Sequence, residues 1–223
     1  MSVALLDGDR VVAEISSDDR RVHSERLLPA LDRLFELAGS SQDAVGAFAI
    51  SIGPGSFTGL RIGLATLKAL AFDETRPVAA VPTLAALCAA AAGAPGPVAA
   101  LLDARRGEVY AAAVARAGDP EPTLLADSVF GPEALAAALP QGALLVVGED
   151  AEPAAARLAA LRPDLRPLAA AARASRVGRL GRALLAAGRA VPAAALVPRY
   201  VRRAEAEARR TGEALEPTRD PAF

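Results

Sequence analysis

The residues best placed to do chemistry lie in one glycine-rich run between a predicted strand and a predicted helix. Residues 53–63 read Gly-Pro-Gly-Ser-Phe-Thr-Gly-Leu-Arg-Ile-Gly. Glycine permits positive φ and a close approach by another backbone or a ligand. A helix that starts here turns free N–H groups outward, which suits an anion or a partner's carbonyl groups. The weak candidates for binding a phosphate are therefore Gly53, Gly55, Ser56, Thr58, Gly59 and Arg61, and Ser56 or Thr58 could cap the helix.

The run matches none of the common phosphate or nucleophile motifs. A Walker A loop needs Lys directly after its last Gly, where this chain has Leu60. A dinucleotide fingerprint needs a third Gly where Thr58 stands. No serine fits a G-x-S-x-G elbow. We therefore expect a structural or interface role for the loop and predict no cofactor.

Other catalytic constellations are nearly absent from the sequence. His23 and Cys88 are the only residues of their types, and Cys88 lies in an alanine-rich predicted helix where it is expected to be a small buried hydrophobe. There is no H-E-x-x-H and no C-x-x-C, so no metal site is predicted. Asp7 and Asp103 each follow a predicted strand, where a carboxylate either stabilises the turn, which we favour, or assists a metal.

Composition limits the classes of function. The 223 residues are 52% hydrophobic with a net charge of −1, so the chain can bury a large core and has no global attraction for nucleic acid. One cysteine excludes an internal disulfide, and no signal peptide is evident. Residues 77–102 carry no charge, but prolines and glycines interrupt them, so we expect no membrane span and a cytoplasmic protein.

The elements that would position these residues form a repeated pattern. The first half predicts a hairpin at 3–15, helices at 24–38, 60–72 and 83–92, and strands at 47–52 and 78–81. The second half predicts a hairpin at 98–115, a strand at 144–147, and helices at 132–139, 151–160 and 174–188. The repetition indicates two related α/β lobes. We predict one lobe at 1–97, a second at 98–203, and a charged tail at 204–223.

Four segments carry a family resemblance. Residues 52–66, Ile-Gly-Pro-Gly-Ser-Phe-Thr-Gly-Leu-Arg-Ile-Gly-Leu-Ala-Thr, resemble the signature of the TsaB (YeaZ) family. Residues 23–29, 103–110 (Asp-Ala-Arg-Arg-Gly-Glu-Val-Tyr) and 198–202 (Pro-Arg-Tyr-Val-Arg) resemble three further family segments in the same order. The resemblance implies two ribonuclease H-like lobes of the actin-like ATPase (ASKHA) superfamily.

The resemblance also shows a departure at the start of the chain. Similar chains usually open with a strand that ends in D-T-x-T, whereas this sequence begins at Met1-Ser2-Val3. We therefore expect the first strand of lobe one to be missing. Our hypothesis is a start codon placed too late, which the mass of the native protein would test.

The family's role implies a function for this chain. TsaD transfers a threonylcarbamoyl group to A37 of tRNAs that decode ANN codons. TsaB-like chains bind TsaD as a non-catalytic scaffold or pair with themselves when TsaD is missing. TsaE, an ATPase, joins the pair, and a TsaC-type enzyme supplies the adenylate. Contact with tRNA would be indirect, although arginines in and just before the helix at 174–188 could add a basic stripe (Arg173, Arg176, Arg179 and Arg182).

The predicted partner interface lies on the helices at 24–38 and 60–72. The second helix is apolar nearly all round, so a partner could cover the side that its own sheet leaves open. The candidates are Leu27, Leu28, Leu31, Phe35, Leu60, Leu64 and Leu67, with Arg61 and the only lysine, Lys68, at the polar rim. On this reading Leu64→Glu should abolish TsaD binding and leave a folded monomer. The alternative is that these positions belong to the intramolecular core.

Two enzyme readings stay open at the level of sequence. The first is an actin-like ATPase that binds ATP between the lobes through Asp7, Asp103 and the glycine loop. The second is an M22-type peptidase-like protein, for which the single histidine is a poor fit. A third reading is a self-contained homodimer that acts as an interaction module.

Overall fold

A computed structural model describes residues 1–17, 23–72 and 76–201, with the backbone alone for 23–25. The first half of the chain contains β1 (Ser2–Asp7), β2 (Arg10–Ser16), α1 (His23–Ala38), β3 (Phe48–Gly53), α2 (Phe57–Leu70), β4 (Val78–Pro82) and α3 (Thr83–Cys88). The second half contains β5 (Val98–Arg105), β6 (Glu108–Val114), β7 (Leu125–Phe130), α4 (Pro132–Ala138), β8 (Leu144–Gly148), α5 (Ala151–Leu158), β9 (Leu165–Ala169) and α6 (Ala174–Ala186). Short 3-10 turns lie at 42–44, 89–91 and 193–195.

The second half is built on one five-stranded mixed sheet. Its strand order is β7-β6-β5-β8-β9, with β5, β6 and β7 antiparallel and β5, β8 and β9 parallel. Most residues of β5 and β6 are apolar and many are alanine, so both faces of the sheet can be covered closely. One face packs against α4 and α5 through Leu135 and Leu158, and the other packs against α3 through Leu84 and Leu87.

The first half has a different backbone organisation. β1 pairs with β2 in an antiparallel hairpin whose turn contains Gly8 at a φ of 60°. β3 pairs with β4 in a separate parallel ladder. Among the described residues no ladder joins β1 to β3.

Helix α6 joins these two ladders, because it packs against β1, β3 and β4. Two glycines allow that approach. A Cβ on Gly178 would touch the side chain of Leu6, and a Cβ on Gly181 would overlap Ala49 and crowd Ala79. The core between α6 and the second ladder contains Val81, Val177, Leu180 and Leu184.

The segment after α6 returns along the first half, and we call residues 189–201 the strap. Val191 donates its N–H to Val78 O at 2.9 Å, and Arg199 donates its N–H to Ile52 O at 2.8 Å. Between these points Ala193 and Leu196 are buried in a cluster with α2 and β4. The strap therefore completes the core beneath α2.

Most predicted elements are present, with differences at their ends. Helix α2 begins at Phe57 and not at residue 60, because Ser56 caps it. The helix predicted at 83–92 is α-helical only to Cys88 and then tightens to a 3-10 turn. Two strands, β7 and β9, were not predicted. β9 is mostly exposed and contains Pro167, so it lacks the alternating pattern of a half-buried strand.

The lobe boundary near residue 97 stays a prediction. Helix α6 and the strap follow that boundary in sequence, yet both pack on the first half. The predicted tail at 204–223 lies outside the described residues.

Candidate functional site

The strap packs against the first glycine of the glycine loop. Gly53 has a φ of 126°, and a Cβ there would run into the carbonyl oxygen of Arg199 and crowd Leu60. The peptide bond from Gly53 to Pro54 is cis. The close approach that glycine permits is therefore used by a backbone from the far end of the chain.

Backbone N–H groups in the first turn of α2 are bonded within the loop and the helix. Ser56 Oγ accepts the N–H of Gly59 at 3.2 Å, and Ser56 O accepts the N–H of Leu60 at 2.9 Å. Gly55 and Thr58 are exposed. Of the two capping residues that the sequence suggested, Ser56 is the cap.

An aromatic and cationic cluster lies where α2 meets the strap. The Arg61 guanidinium carbon lies 3.8 Å from the centre of the Phe57 ring, and the Phe57 and Tyr200 rings stack with centres 4.8 Å apart. Arg61 Nε donates to Tyr200 Oη at 2.9 Å. Lys68, about two turns further along α2, donates to Ala194 O at 3.0 Å. These contacts fix both basic side chains of α2 against the strap.

The two faces of α2 have opposite environments. Leu64 and Leu67 are 4% and 7% exposed and pack with Ile52, Val78 and Leu196. This corrects the prediction that Leu64 and Leu67 contact a partner, because their side chains are already covered by β3, β4 and the strap. A Leu64→Glu change would place a carboxylate in that core and unfold the region.

The exposed face of α2 is a single stripe. Its members are spaced three or four residues apart, so they share one side of the helix: Thr58, Arg61, Ala65, Ala69 and, just after the helix, Phe72. Phe72 is 86% exposed. The small alanines leave room for a second helix to approach closely, with Arg61 at one end of the stripe and Phe72 at the other.

Helix α1 lies beside α2 and also has an exposed side. Leu27 and Leu31 are partly buried against the β1–β2 hairpin, and Phe35 is half-buried. Leu28 and Leu37 are 59% and 55% exposed. They are nine residues apart and therefore about half a turn apart around the helix, at opposite edges of its exposed side. We call the exposed sides of both helices the α1–α2 surface.

The strap also connects the two halves of the molecule. Arg199 Nη2 lies 2.8 Å from Asp127 Oδ1 of β7, and Arg189 pairs with Glu121 in the loop before β7. The Asp127 side chain is almost fully buried, and the approach of Arg199 is misaligned, so neither carboxylate oxygen accepts a hydrogen bond from a described residue. Burial raises the pKa of Asp127, and the charge of Arg199 opposes that rise.

The catalytic candidates are dispersed and engaged in structural contacts. Cys88 is fully buried, and burial raises its pKa to about 12, which leaves a protonated thiol at neutral pH. Asp7 pairs with Arg10, and Asp103 Oδ1 accepts the N–H of Arg105 at 2.9 Å, so both stabilise hairpin turns. The His23 side chain lies outside the described part. No cluster of metal-ligating side chains occurs among the residues that the structure covers.

The arginines of α6 are largely occupied by the first half and by the helix start. Arg179 Nε donates to Asp9 O at 3.1 Å, and Arg182 pairs with the Asp9 carboxylate. Arg176 donates to Ala171 O at 2.7 Å. The basic stripe that the sequence suggested therefore helps to hold the β1–β2 turn against the helix.

Comparisons with known proteins agree with this architecture. A family model described as TsaD, tRNA N6-adenosine threonylcarbamoyltransferase, matches residues 10–142, which is more than half of the chain. A solved structure described as YeaZ from Pseudomonas aeruginosa superposes with a TM-score of 0.73 at 32% identity, covering 88% of this chain and 92% of that one. The chain belongs to the TsaB (YeaZ) family. The predicted ribonuclease H-like α/β fold of the actin-like ATPase superfamily is thereby confirmed.

Curated TsaB proteins match a shorter part of the chain. The tRNA threonylcarbamoyladenosine biosynthesis protein TsaB of Bacillus subtilis is 36% identical over 110 residues, which is 49% of this chain and 48% of the relative. The Escherichia coli protein of the same name is 38% identical over 111 residues, again 49% and 48%. The chain thus matches about half the length of these TsaB relatives. None of the described helices is long and apolar enough to cross a bilayer.

The sequence did not predict the side-chain contacts that the strap makes with α2 and β7. The Pro198-Arg199-Tyr200 segment was informative only as a family pattern, because nothing in its spacing pairs Tyr200 with Arg61 or Arg199 with Asp127. The members of each pair are far apart in the sequence, and they come together only in the folded chain.

Proposed function

We propose that this chain is the non-catalytic partner subunit of a TsaD-like enzyme that forms N6-threonylcarbamoyladenosine at A37 of ANN-decoding tRNAs. The observation that carries the proposal is the exposed stripe on α2, next to exposed apolar side chains on α1, in a member of the TsaB family. Curated relatives named for this biosynthesis support it.

The partner would bind on the α1–α2 surface. Exposed large apolar side chains on adjacent helices favour a helical partner, which would complete a four-helix arrangement. Leu28, Leu37 and Phe72 supply apolar contact area, and Ala65 and Ala69 allow close approach. Leu27, Leu31, Phe35 and Leu60 are half-buried and would contribute at the edges, with Lys68 at the rim.

A scaffold role is consistent with the chemistry of the side chains. The single cysteine is buried and protonated, and the strap covers the glycine loop at Gly53. We also propose that a TsaE-like ATPase joins the pair and that tRNA is reached mainly through the TsaD-like subunit in the cytoplasm. The net charge of −1 and the engaged arginines of α6 favour that division of roles.

The test is size-exclusion chromatography with light scattering on this protein mixed with the TsaD homologue of the same organism. A joint peak is expected for the wild type, and Ala65→Glu should abolish it because a carboxylate would be buried at the closest point of helix contact. Ala183→Glu, on the exposed side of α6, is the matched control and should bind normally. Reconstituted tRNA modification should follow the same order.

A wild-type protein that elutes separately from the TsaD homologue would overturn the proposal. The same measurement on the protein alone reports whether the α1–α2 surface pairs with a second copy. In that case Ala65→Glu should convert the homodimer to a monomer.

A further inference from the structure

Arg61 is held in one orientation on the α1–α2 surface. Its guanidinium face stacks on the Phe57 ring at 3.8 Å, and its Nε is bonded to Tyr200 Oη at 2.9 Å. Tyr200 is in turn positioned by the strap, since the neighbouring Arg199 bonds to Ile52 O and approaches Asp127. A long exposed side chain normally loses considerable rotamer freedom when it binds, and here that ordering has already taken place.

The outer end of the same guanidinium is unused. Arg61 is exposed, and neither of its Nη groups bonds to any residue in the described ranges. The stack uses the flat face of the group and Tyr200 uses Nε, so both Nη groups remain available as donors. A planar pair of donors of this kind matches the two oxygens of a carboxylate.

Docking on this surface would bury those donors. Arg61 lies in the same stripe as Ala65 and Ala69, so a helix that covers the alanines also covers the guanidinium. A buried charge without a counter-charge is strongly unfavourable, and unbonded Nη groups would add to that penalty. The partner must therefore supply an acceptor at this point.

We propose that Arg61 is the charged anchor of the α1–α2 surface and binds a side-chain carboxylate of the docking protein, with Phe57 and Tyr200 as the residues that position it. This inference rests on the proposed function, because the docking protein is the TsaD-like partner. It also gives the strap a role in recognition as well as in folding.

The first measurement is the affinity of single variants for the TsaD homologue. Arg61→Gln should weaken binding by about tenfold or more, and Arg61→Lys should recover only part of the loss because an ammonium cannot form the planar pair. Tyr200→Phe keeps the ring but removes the acceptor for Nε, so it should weaken binding without lowering the Tm. Arg116→Gln, at an exposed arginine of the second half, should bind like the wild type.

A second measurement locates the acceptor directly. Lys68 is the only lysine, so Lys68→Arg gives a protein without lysine in which Arg61→Lys introduces a single side-chain amine. A carbodiimide should then form an amide between position 61 and an Asp or Glu of the TsaD homologue, which peptide mass spectrometry identifies. Arg116→Lys in the same background is the control and should give no cross-link to the partner.

The outcomes separate this inference from the function on which it rests. Normal binding by Arg61→Gln, or the absence of a cross-link at position 61, would overturn the inference alone. A wild type that does not bind the TsaD homologue would overturn both. If Arg61→Gln instead reduced binding of tRNA and left partner binding unchanged, the acceptor would be a phosphate and the carboxylate assignment would be wrong.

Discussion

The two halves of this molecule are held together in different ways. In the second half a continuous ladder of backbone hydrogen bonds links five strands into one sheet. In the first half two separate two-stranded ladders are joined through α6, and the strap packs on the β3–β4 ladder and α2. The half that carries the candidate docking surface therefore depends more on tertiary contacts, and a change in one of those contacts should reach the surface.

The largest effect should come from the core beneath α2. Leu64→Ala removes a buried side chain between α2, β3 and the strap, and we expect a loss of about 3 kcal/mol in the free energy of unfolding. Leu144→Ala in the second-half sheet is the matched control and should be destabilising by a similar amount. Hydrogen exchange would separate the two variants.

Leu64→Ala and Leu144→Ala should change the pattern of amide hydrogen exchange in different parts of the chain. Leu64→Ala should accelerate exchange in α2, β3 and the strap while the five-stranded sheet stays protected. Uniform acceleration throughout the described chain would show that the halves unfold as one unit and do not differ in how they are held together.

A somewhat smaller effect is expected where α6 crosses the two ladders. Gly181→Val places side-chain atoms against Ala49 and Ala79 and should lower stability by about 2 kcal/mol or more, as measured by urea denaturation. Gly46→Ala is the control, because nothing lies near a Cβ at that glycine and its φ is unremarkable. Wild-type stability of Gly181→Val would mean that α6 is free to shift away from β3.

A smaller loss of stability is expected when the capping of α6 by the β1–β2 hairpin is removed. The Glu14 carboxylate accepts from Ser175 N at 3.0 Å and from Ser175 Oγ at 2.9 Å, so a strand of the first half caps a helix near the end of the chain. Glu14→Ala should lower the free energy of unfolding by about 1 kcal/mol, within the range of helix caps. Glu14→Gln retains an acceptor and should lose less; equal losses would argue against the cap.

The smallest effect on stability is expected at the Arg199–Asp127 ion pair, which links the two halves. Burial raises the pKa of Asp127, so the native state binds its proton more tightly than the unfolded chain does. Its contribution to stability is therefore greatest at low pH and falls as the pH rises from the ordinary Asp range through the raised pKa. Asp127→Asn does not titrate, and the two proteins should differ by less than about 1 kcal/mol at pH 7, because Arg199 is partly exposed.

Denaturation curves across this pH range would check the sign. The stability of the wild type relative to Asp127→Asn should improve as the pH is lowered. The opposite trend would mean that Arg199 stabilises the ionised carboxylate more than burial destabilises it.

Local patterns in the sequence predicted most elements but only part of the site. Periodicity and turn residues placed the hairpins, α1, α2 and α6, because each depends on nearby residues. They missed β9, whose side chains are mostly exposed, and β7 at the sheet edge. For α2 the apolar pattern predicted a helix covered on two sides. It could not distinguish cover by the strap from cover by a partner, and so Leu64 and Leu67 were assigned to a partner, although they pack within the chain.

The contacts of Arg61 and Arg199 could not have been predicted from one sequence. Each joins residues that are far apart in the chain, and the resemblance supplied the pattern Pro198-Arg199-Tyr200 without its partners. For the glycine loop the prediction came nearer, since its glycines permit a close approach by another backbone or a ligand. It left open whether a ligand or a backbone made that approach, and the structure shows the carbonyl of Arg199.

The position of α6 and the strap has a consequence for how the chain folds as it is made. Synthesis proceeds from the N-terminus, and domains usually fold as their residues emerge. Here the first residues to emerge must wait for residues that are synthesised much later, because α6 bridges β1 and β3 and the strap closes over Gly53. The second-half sheet, complete at β9, can form first. On the ribosome the order of folding would thus be the reverse of the order of translation, and the nascent first half would expose the apolar face of α2 until α6 and the strap have emerged.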